Sequence, residues 1–322
     1  FFLFIMGITA CIIAGQLSLE LILEAIHEPV WITLAVLVAG VLFFLVREKF
    51  TALAEQIFNR VPLPLIVFLI IVMLGMISSI ITAIVAAIIL VELIVLLPVP
   101  RKQQVFLCIL ACFAIGFGAA LTPIGEPLAT IAISKLNQNF FYLFNLLGVY
   151  VIPAILVMGI LGAFYVYREG KKEPEITTSS EPLICAVEPD IIVETDDWKG
   201  IIIRALKVYL FVMALVFLGQ GFQPIINAYV LKLDYHILYW VNMVSAVLDN
   251  ATLTAAEVSI KMSSEQIKAI LMGLLISGGM LIPGNIPNII SASKLCISMK
   301  EWTKIGVPMG LIIMGIYYFI LF

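Results

Sequence analysis

Two carboxylates in otherwise apolar stretches are the residues with the clearest chemical potential. Glu126 lies within residues 122–127, Thr-Pro-Ile-Gly-Glu-Pro, and Asp249 lies within residues 244–254, where the other polar side chains carry hydroxyls or an amide. An acid at the centre of a bilayer costs roughly 2.5–3.5 kcal/mol on insertion scales, so such residues usually face a cavity and serve function. Because burial makes a carboxylate hold its proton more tightly, a proton and a sodium ion can compete for it.

Neutral oxygens accompany the two acids in sequence. A hard cation of the sodium type prefers oxygen ligands, which hydroxyls, amides and backbone carbonyls all supply. Proline removes a backbone donor and glycine permits sharp turns, so carbonyls freed at such interruptions can also bind a cation. We expect sodium at Asp249, Asn250 and Glu126, and no other cofactor. The full set of predicted ion-binding residues is Thr122, Pro123, Gly125, Glu126, Asp249, Asn250, Thr252, Thr254, Gly284, Asn285, Asn288, Ser78, Ser79 and Thr82.

The elements that carry these residues are predicted to be membrane helices. Apolar residues make up 63% of the chain and charged residues 12%, and the mean hydropathy is +1.16. A soluble domain is about half apolar and about a quarter charged. Apolar segments near the length that crosses a bilayer recur along the sequence, which predicts an all-α polytopic membrane protein surrounded by lipid.

The chain divides into four predicted regions. Residues 1–29 form a first span and an outer segment, 30–167 a first repeat, 168–199 a polar linker, and 200–322 a second repeat. Within each repeat we expect a re-entrant helical hairpin and a broken transmembrane helix. The hairpins are predicted at 62–97, bent near Ser78, Ser79 and Thr82, and at 235–260, broken at 248–250. The broken helices are predicted at 105–134 and 266–292.

A matched interruption supports the repeat. Residues 125–126, 131 and 134–136 correspond without a gap to residues 284–285, 290 and 293–295, with glutamate in the first copy replaced by asparagine in the second. Prolines flank both interruptions. A single proline kink is common in spanning helices, whereas two kinks at matched places, each with an acid or amide, favour a binding site.

Charge distribution predicts the orientation. Cytoplasmic loops are enriched in Lys and Arg. With both hairpins returning to their own side, the linker and most basic residues share one face, so we expect an inner-membrane protein with linker 168–199 in the cytoplasm. The halves are then inverted relative to each other. The opposite face of the membrane has only Lys135, Lys232, Lys261 and Lys268 as basic residues.

The sequence lacks the motifs that are typical of several other classes of protein. No basic patch interleaved with aromatics indicates nucleic acid, and no His/Cys spacing indicates a structural metal. No nucleophile elbow or phosphate loop is present, so we do not expect an enzyme. The chain opens with Phe1 rather than Met and without a basic leader, so we expect some residues to precede it.

The interrupted motifs resemble those of a known superfamily. Residues 122–127 resemble the Pro-Ile-Gly-acid signature of sodium/proton antiporters in the ion transporter superfamily, and residues 248–252, Leu-Asp-Asn-Ala-Thr, look like its hairpin-tip motif. That superfamily also holds arsenite exporters and sodium-coupled divalent anion symporters, and the nearest resemblance is to a group of predicted cation transporters. The resemblance covers most of the chain as an architecture, and only these short motifs are specific.

The resemblance implies that hairpin tips and helix breaks together build a central site. It also implies a homodimer in which a transport domain moves like an elevator against a scaffold. The first tip, residues 78–82, reads Ser-Ser-Ile-Ile-Thr and lacks the Asn of the dicarboxylate symporters' Ser-Asn-Thr tips. This departure favours a cation over a dicarboxylate.

The leading expectation is a sodium/proton-antiporter-like cation transporter with alternating access. The first alternative is sodium-coupled symport of an oxyanion or carboxylate, in which helix N-termini hold the anion. More distant alternatives are an intramembrane enzyme, which would need a nucleophile–base or metal constellation, and a passive channel.

Overall fold

The described part of the chain is mostly helical and contains no strands. The computed structural model describes residues 2–27, 61–169, 198–247 and 250–322, together with a few positions between 29 and 41. Most of residues 28–60, residues 170–197 of the predicted linker, and the predicted ligand Asp249 lie outside the described residues.

Helices of the first half follow the apolar segments closely. A further helical stretch covers residues 19–27. The helices are α1 (Phe2–Ile13), α2 (Leu63–Ile81), α3 (Ala83–Leu96), α4 (Arg101–Ala119), α5 (Pro127–Lys135) and α6 (Tyr142–Glu169).

The described second half contains α-helices and short 3-10 segments. Short 3-10 segments lie at Val230–Lys232, Asn242–Ala246 and Ile282–Gly284. The α-helices are α7 (Trp198–Ala228), α8 (Tyr235–Val241), α9 (Asn250–Glu257), α10 (Ser264–Gly278), α11 (Ile286–Lys294) and α12 (Met299–Leu321).

Local signals explain where several helices begin. Ser263 and Ser298 each accept a hydrogen bond from the backbone three residues later, and Gln266 and Glu301 reciprocate. Such capping boxes satisfy donors that a helix start would otherwise leave free. Proline at the first helical position, as at Pro127, loses no hydrogen bond and is favoured there. These signals start α5, α10 and α12 at the residues observed.

Three of the four predicted interruptions are present, and the fourth, at 248–250, lies mostly outside the described residues. The apolar segment 62–97 is divided at Thr82, the segment 105–134 between Ala119 and Pro127, and the segment 266–292 between Gly278 and Ile286. At Thr82 the backbone has φ 75°, in the left-handed region that L side chains rarely adopt. The side chain of Thr82 accepts a hydrogen bond from the Val85 amide and caps α3.

Four of the described helices, α2, α4, α6 and α12, are long and apolar enough to cross a bilayer. Large apolar side chains such as Ile312 and Phe319 are exposed on α12, as lipid-facing residues are in a membrane helix. The fold is therefore that of an α-helical integral membrane protein.

Helix α4 lies at the centre of the packed helices. From Leu107 to Ala119 its side chains are almost completely buried. It contacts α2, α3 and α6 of its own half together with α10, α11 and α12 of the other half. Helix α10 is buried in the same way from Ala269 to Ile276. Each of these central helices ends at one of the interruptions, which places both interruptions inside the protein.

The N-terminal helix packs on the second half of the chain. A Cβ atom on Gly7 would lie 2.8 Å from the Ala214 carbonyl oxygen, so only glycine permits this approach of α1 to α7. The Cys11 thiol donates to the Phe217 carbonyl at 2.8 Å. The sequence placed the first span in a region of its own and did not indicate this partner.

Candidate functional site

The first break comprises residues 120–126, between α4 and α5. A Cβ atom on Gly125 would lie only 2.0 Å from the Ala119 carbonyl oxygen, so the backbone path requires glycine. Glu126 is extended, at φ −152°, and stands immediately before α5. It is 4% exposed and is the only carboxylate among the described residues that is more than nine-tenths buried. The first break thus brings one acid into the protein interior.

Polar contacts join the first break to the junction between α2 and α3. The Ala83 amide donates to the Gly125 carbonyl at 2.8 Å, and the Thr122 hydroxyl donates to the Ser79 carbonyl. The Ser78 hydroxyl donates to the Ile115 carbonyl at 3.1 Å. Predicted site residues from two distant segments therefore meet.

Thr130 closes the first break from its other side. Its hydroxyl donates to the Pro123 carbonyl at 2.5 Å, so the first turn of α5 satisfies a carbonyl that the break frees. Buried backbone acceptors almost always find a partner, and here a side chain provides it. Pro123 is thus part of the break, but its carbonyl is already hydrogen-bonded.

The second break comprises residues 279–285, between α10 and α11. A Cβ atom on Gly284 would lie 2.6 Å from the Gly278 carbonyl oxygen and 2.9 Å from that of Ser245, so glycine is again required. Asn285 takes the place that Glu126 has in the first break. Its Oδ1 atom accepts from the Ile286 amide at 2.8 Å and caps α11.

Asn288 crosses the second break. Its Nδ2 atom donates to the carbonyls of Gly278 and Leu281, each at 2.9 Å. The side chain is fully buried, and its Oδ1 atom has no hydrogen-bond partner in the described part of the chain. A buried acceptor without a donor is suited to a cation, so this oxygen is a candidate ligand.

Helix α9 begins beside the second break. Asn250, its first residue, is 3% exposed, and its Nδ2 atom lies 3.5 Å from where a Cβ atom on Gly278 would be. The Thr254 hydroxyl donates to the Asn250 carbonyl at 2.8 Å. The lone pairs of the Thr254 hydroxyl oxygen therefore remain available to another donor or an ion. Thr252 is half-buried on the same helix. Asn250 is thus next to the second break, directly after Asp249 in sequence.

The two breaks are held by equivalent hydrogen bonds. The Ser245 hydroxyl donates to the Leu274 carbonyl at 3.1 Å, as Ser78 does to the Ile115 carbonyl at the same distance. Ile115 and Leu274 are separated in sequence by the same interval as Gly125 and Gly284. In each half, a serine that precedes an interruption reaches the central helix one turn before its break.

Side chains also connect the halves directly. The Asn285 Nδ2 atom lies 2.8 Å from where a Cβ atom on Gly116 would be, so the second break contacts α4. The Cys112 thiol contacts the Ser291 hydroxyl at 3.4 Å, and the Lys135 ammonium donates to the Ala255 carbonyl at 2.5 Å. The short helix after each break therefore packs against the other half, α5 on α9 and α11 on α3 and α4.

Sequence reasoning missed several polar residues of this region. Ser277 donates to the Asn242 carbonyl at 2.9 Å and contacts the Ser245 hydroxyl at 2.6 Å. Ser245 stands as far before Asp249 as Ser78 stands before Thr82, and this spacing could have identified it. Ser277 and Asn242 carry no comparable sequence signal, because they matter only through the packing of α10 against residues 242–246.

The fold and the two buried breaks define the class of this protein as a helical membrane protein with interrupted central helices. Residues 1–322 match a family model described as a protein of unknown function, DUF1646, and the chain belongs to that family. No curated protein matches it.

Proposed function

We propose that this protein is a secondary active transporter, a sodium/proton-antiporter-like cation carrier that works by alternating access. The observation that carries the proposal is the pair of buried breaks, each of which follows a central helix that accepts a hydrogen bond from a serine of a neighbouring segment one turn earlier. Broken helices that meet inside a membrane protein are characteristic of transporter binding sites, because freed backbone groups there can face an ion instead of lipid.

Chemical roles follow from the residues at the breaks. Glu126 and Asp249 bind the cation or a proton, one displacing the other. Oxygens of Thr122, Asn250, Thr252 and Asn285 complete the shell together with the freed carbonyls. Exchange requires that one carboxylate cannot hold both ions at once, and the burial of Glu126 favours such competition.

Inverted repeats with re-entrant hairpins are part of the proposal. In the first half α2 and α3 contact α4, and in the second half α8 and α9 contact α10. The reciprocal contacts of α5 with α9 and of α11 with α3 fit the same internal symmetry. We further propose an inner-membrane homodimer with residues 168–199 in the cytoplasm, in which one part moves against a fixed scaffold.

The test uses purified protein in liposomes that contain a pH-sensitive dye. An imposed sodium gradient should change the internal pH without any added anion. Glu126→Gln and Asp249→Asn remove a charge with little change of shape, and each should abolish the sodium-driven pH change. Glu265→Gln is the matched control, because Glu265 is exposed at the start of α10.

Other outcomes separate the rival functions. Strict dependence on an added oxyanion or carboxylate would favour sodium-coupled symport. Ion flux far above carrier turnover would favour a channel. If both acid-to-amide variants kept the sodium-driven response, the assignment of the exchange site to Glu126 and Asp249 would be wrong.

A further inference from the structure

A second cluster of buried polar atoms lies outside the two breaks. It consists of Glu257, the last residue of α9, and Asn242, the first residue of the 3-10 segment that follows α8. An α-helix rises about 1.5 Å per residue, so Glu257 lies about 10 Å along α9 from Asn250, the residue beside the second break. The exchange chemistry proposed above does not use this cluster.

Two oxygen acceptors in the cluster have no donor. Asn242 is 1% exposed, and its Nδ2 atom donates to the Leu238 carbonyl at 2.9 Å, which fixes the orientation of the amide. Its Oδ1 atom and the Glu257 Oε2 atom are buried without a hydrogen-bond partner among the described residues. The Asn242 amide also donates to the Glu257 carboxylate, and α9 contacts residues 242–246, so the two remaining acceptors, Asn242 Oδ1 and Glu257 Oε2, belong to one place.

Leaving such atoms unpaired is costly. A buried acceptor without a partner costs about 1–3 kcal/mol, and more when it is charged. Helix α9 also ends here, and the carbonyls of its last turn make this the negative end of the helix dipole. A carboxylate at that end is unfavourable unless positive charge compensates it.

Lys135 supplies positive charge nearby, but its ammonium is directed at a backbone atom. It donates to the Ala255 carbonyl at 2.5 Å, and its side-chain carbons pack on Gly219 of α7. One carbonyl of the last turn of α9 is therefore satisfied, while the Asn242 and Glu257 oxygens still lack a partner. A second cation would satisfy the remaining acceptors on Asn242 and Glu257.

We propose that Glu257 and Asn242 bind a monovalent cation of the sodium type, at a site distinct from the two breaks. Carboxylate and amide oxygens are ligands for hard cations. No group of three or more His, Cys, Asp or Glu side chains converges within the part of the chain that the structure describes, so a single charge fits this cluster better than a divalent ion. The site goes beyond the exchange mechanism, because it adds a bound ion that the two breaks do not require.

Equilibrium binding of radioactive sodium to the purified full chain tests the proposal, with choline keeping the ionic strength constant. Wild-type protein should bind two sodium ions per chain, and Glu257→Gln should bind one. Asn242→Ala should weaken the same ion at least about tenfold, the equivalent of about 1.4 kcal/mol. Glu265→Gln, which changes an exposed acid, should bind as wild type does.

Asn242→Asp distinguishes a specific effect on the ion site from general misfolding. It adds a negative charge beside Glu257 and should tighten sodium binding, a change that damage to the fold cannot produce. Equal weakening by Asn242→Asp and Asn242→Ala would overturn the proposal. So would an unchanged number of bound ions in Glu257→Gln, which would indicate that water occupies the cluster.

The same binding experiment distinguishes a failure of the exchange site at the breaks from a failure of the site at Glu257. Glu126→Gln should remove the ion at the breaks and leave the ion at Glu257. Loss of an ion only in Glu126→Gln would reject the second site and keep the first, whereas loss only in Glu257→Gln would reject the exchange site and keep this one.

Discussion

The side-chain amide of Asn288 donates a hydrogen bond of 2.9 Å to the carbonyl of Gly278, the last residue of α10. The same nitrogen donates to the Leu281 carbonyl, also at 2.9 Å. One side chain on α11 thus satisfies two backbone acceptors, one on the opposite side of the second break and one within it. The break is a defined conformation held by side chains, which is what a reproducible ion site requires.

Asn288→Ala should destabilise the protein by about 2–4 kcal/mol, because one buried and one part-buried carbonyl lose their donor at about 1–3 kcal/mol each and partly relax. Thermal unfolding in detergent measures the effect. Asn145→Ala is the control, since Asn145 is exposed on α6 and should unfold as wild type does. Equal stability of the two variants would show that Asn288 does not hold the break.

Gly118→Ala should prevent the central helix from packing. A Cβ atom there would lie 1.6 Å from the Gly75 carbonyl oxygen, a backbone atom that cannot move aside without displacing α2. We expect little or no monodisperse protein on size-exclusion chromatography. Gly315→Ala is the matched control, because nothing lies within 4 Å of its added Cβ and alanine is favoured over glycine in a helix. Normal elution of Gly118→Ala would contradict the close approach of α2 and α4.

The interruptions were predictable because their causes are local. Proline removes a donor and glycine allows a turn wherever they stand, so Pro123, Gly125 and Gly284 marked the breaks without any knowledge of packing. Glu126 and Asn285 were likewise identified from their position inside those interruptions. The two breaks were therefore predicted to the right segments.

Contacts between distant segments were not predictable. The sequence assigned Lys135 to one face of the membrane, and its bond to Ala255 depends on where the other half places α9. The unpaired oxygen of Asn242 is visible only once α8 and α10 are packed. The approach of α1 to α7 through Gly7 also required the structure, since a glycine in an apolar helix has many explanations.

Asn285→Asp tests whether the two breaks are chemically equivalent. Aspartate caps a helix as well as asparagine does, so α11 should keep its cap. The position is 4% exposed, so the new carboxylate should lower the free energy of unfolding unless a cation pairs with it. The new carboxylate occupies the place matched to Glu126. Under the proposed function, sodium affinity at alkaline pH should rise about tenfold, about 1.4 kcal/mol.

Radioactive sodium binding measures that affinity, with Asn145→Asp as a control for an added charge on an exposed surface. Unit charges about 4 Å apart attract by about 4 kcal/mol at an effective dielectric constant of about 20. The cost of burying the new carboxylate offsets part of this attraction, which leaves the smaller expected gain in affinity. Unchanged affinity in Asn285→Asp would place the ion away from the second break.

Lys135→Met should loosen α9 without disturbing the packing of α5. Methionine keeps the unbranched stem that rests on Gly219, but it removes the ammonium that donates to the Ala255 carbonyl. A hydrogen bond from a charged group contributes about 1.5–3 kcal/mol, so backbone amides of residues 250–257 should exchange with deuterium about tenfold faster or more. Hydrogen–deuterium exchange with mass spectrometry measures this segment directly.

Lys232→Met removes an exposed ammonium and should leave the exchange rates unchanged. Faster exchange spread evenly over the whole chain would instead indicate general destabilisation, and unaltered exchange in α9 would show that the bond between Lys135 and Ala255 does not hold the two halves together.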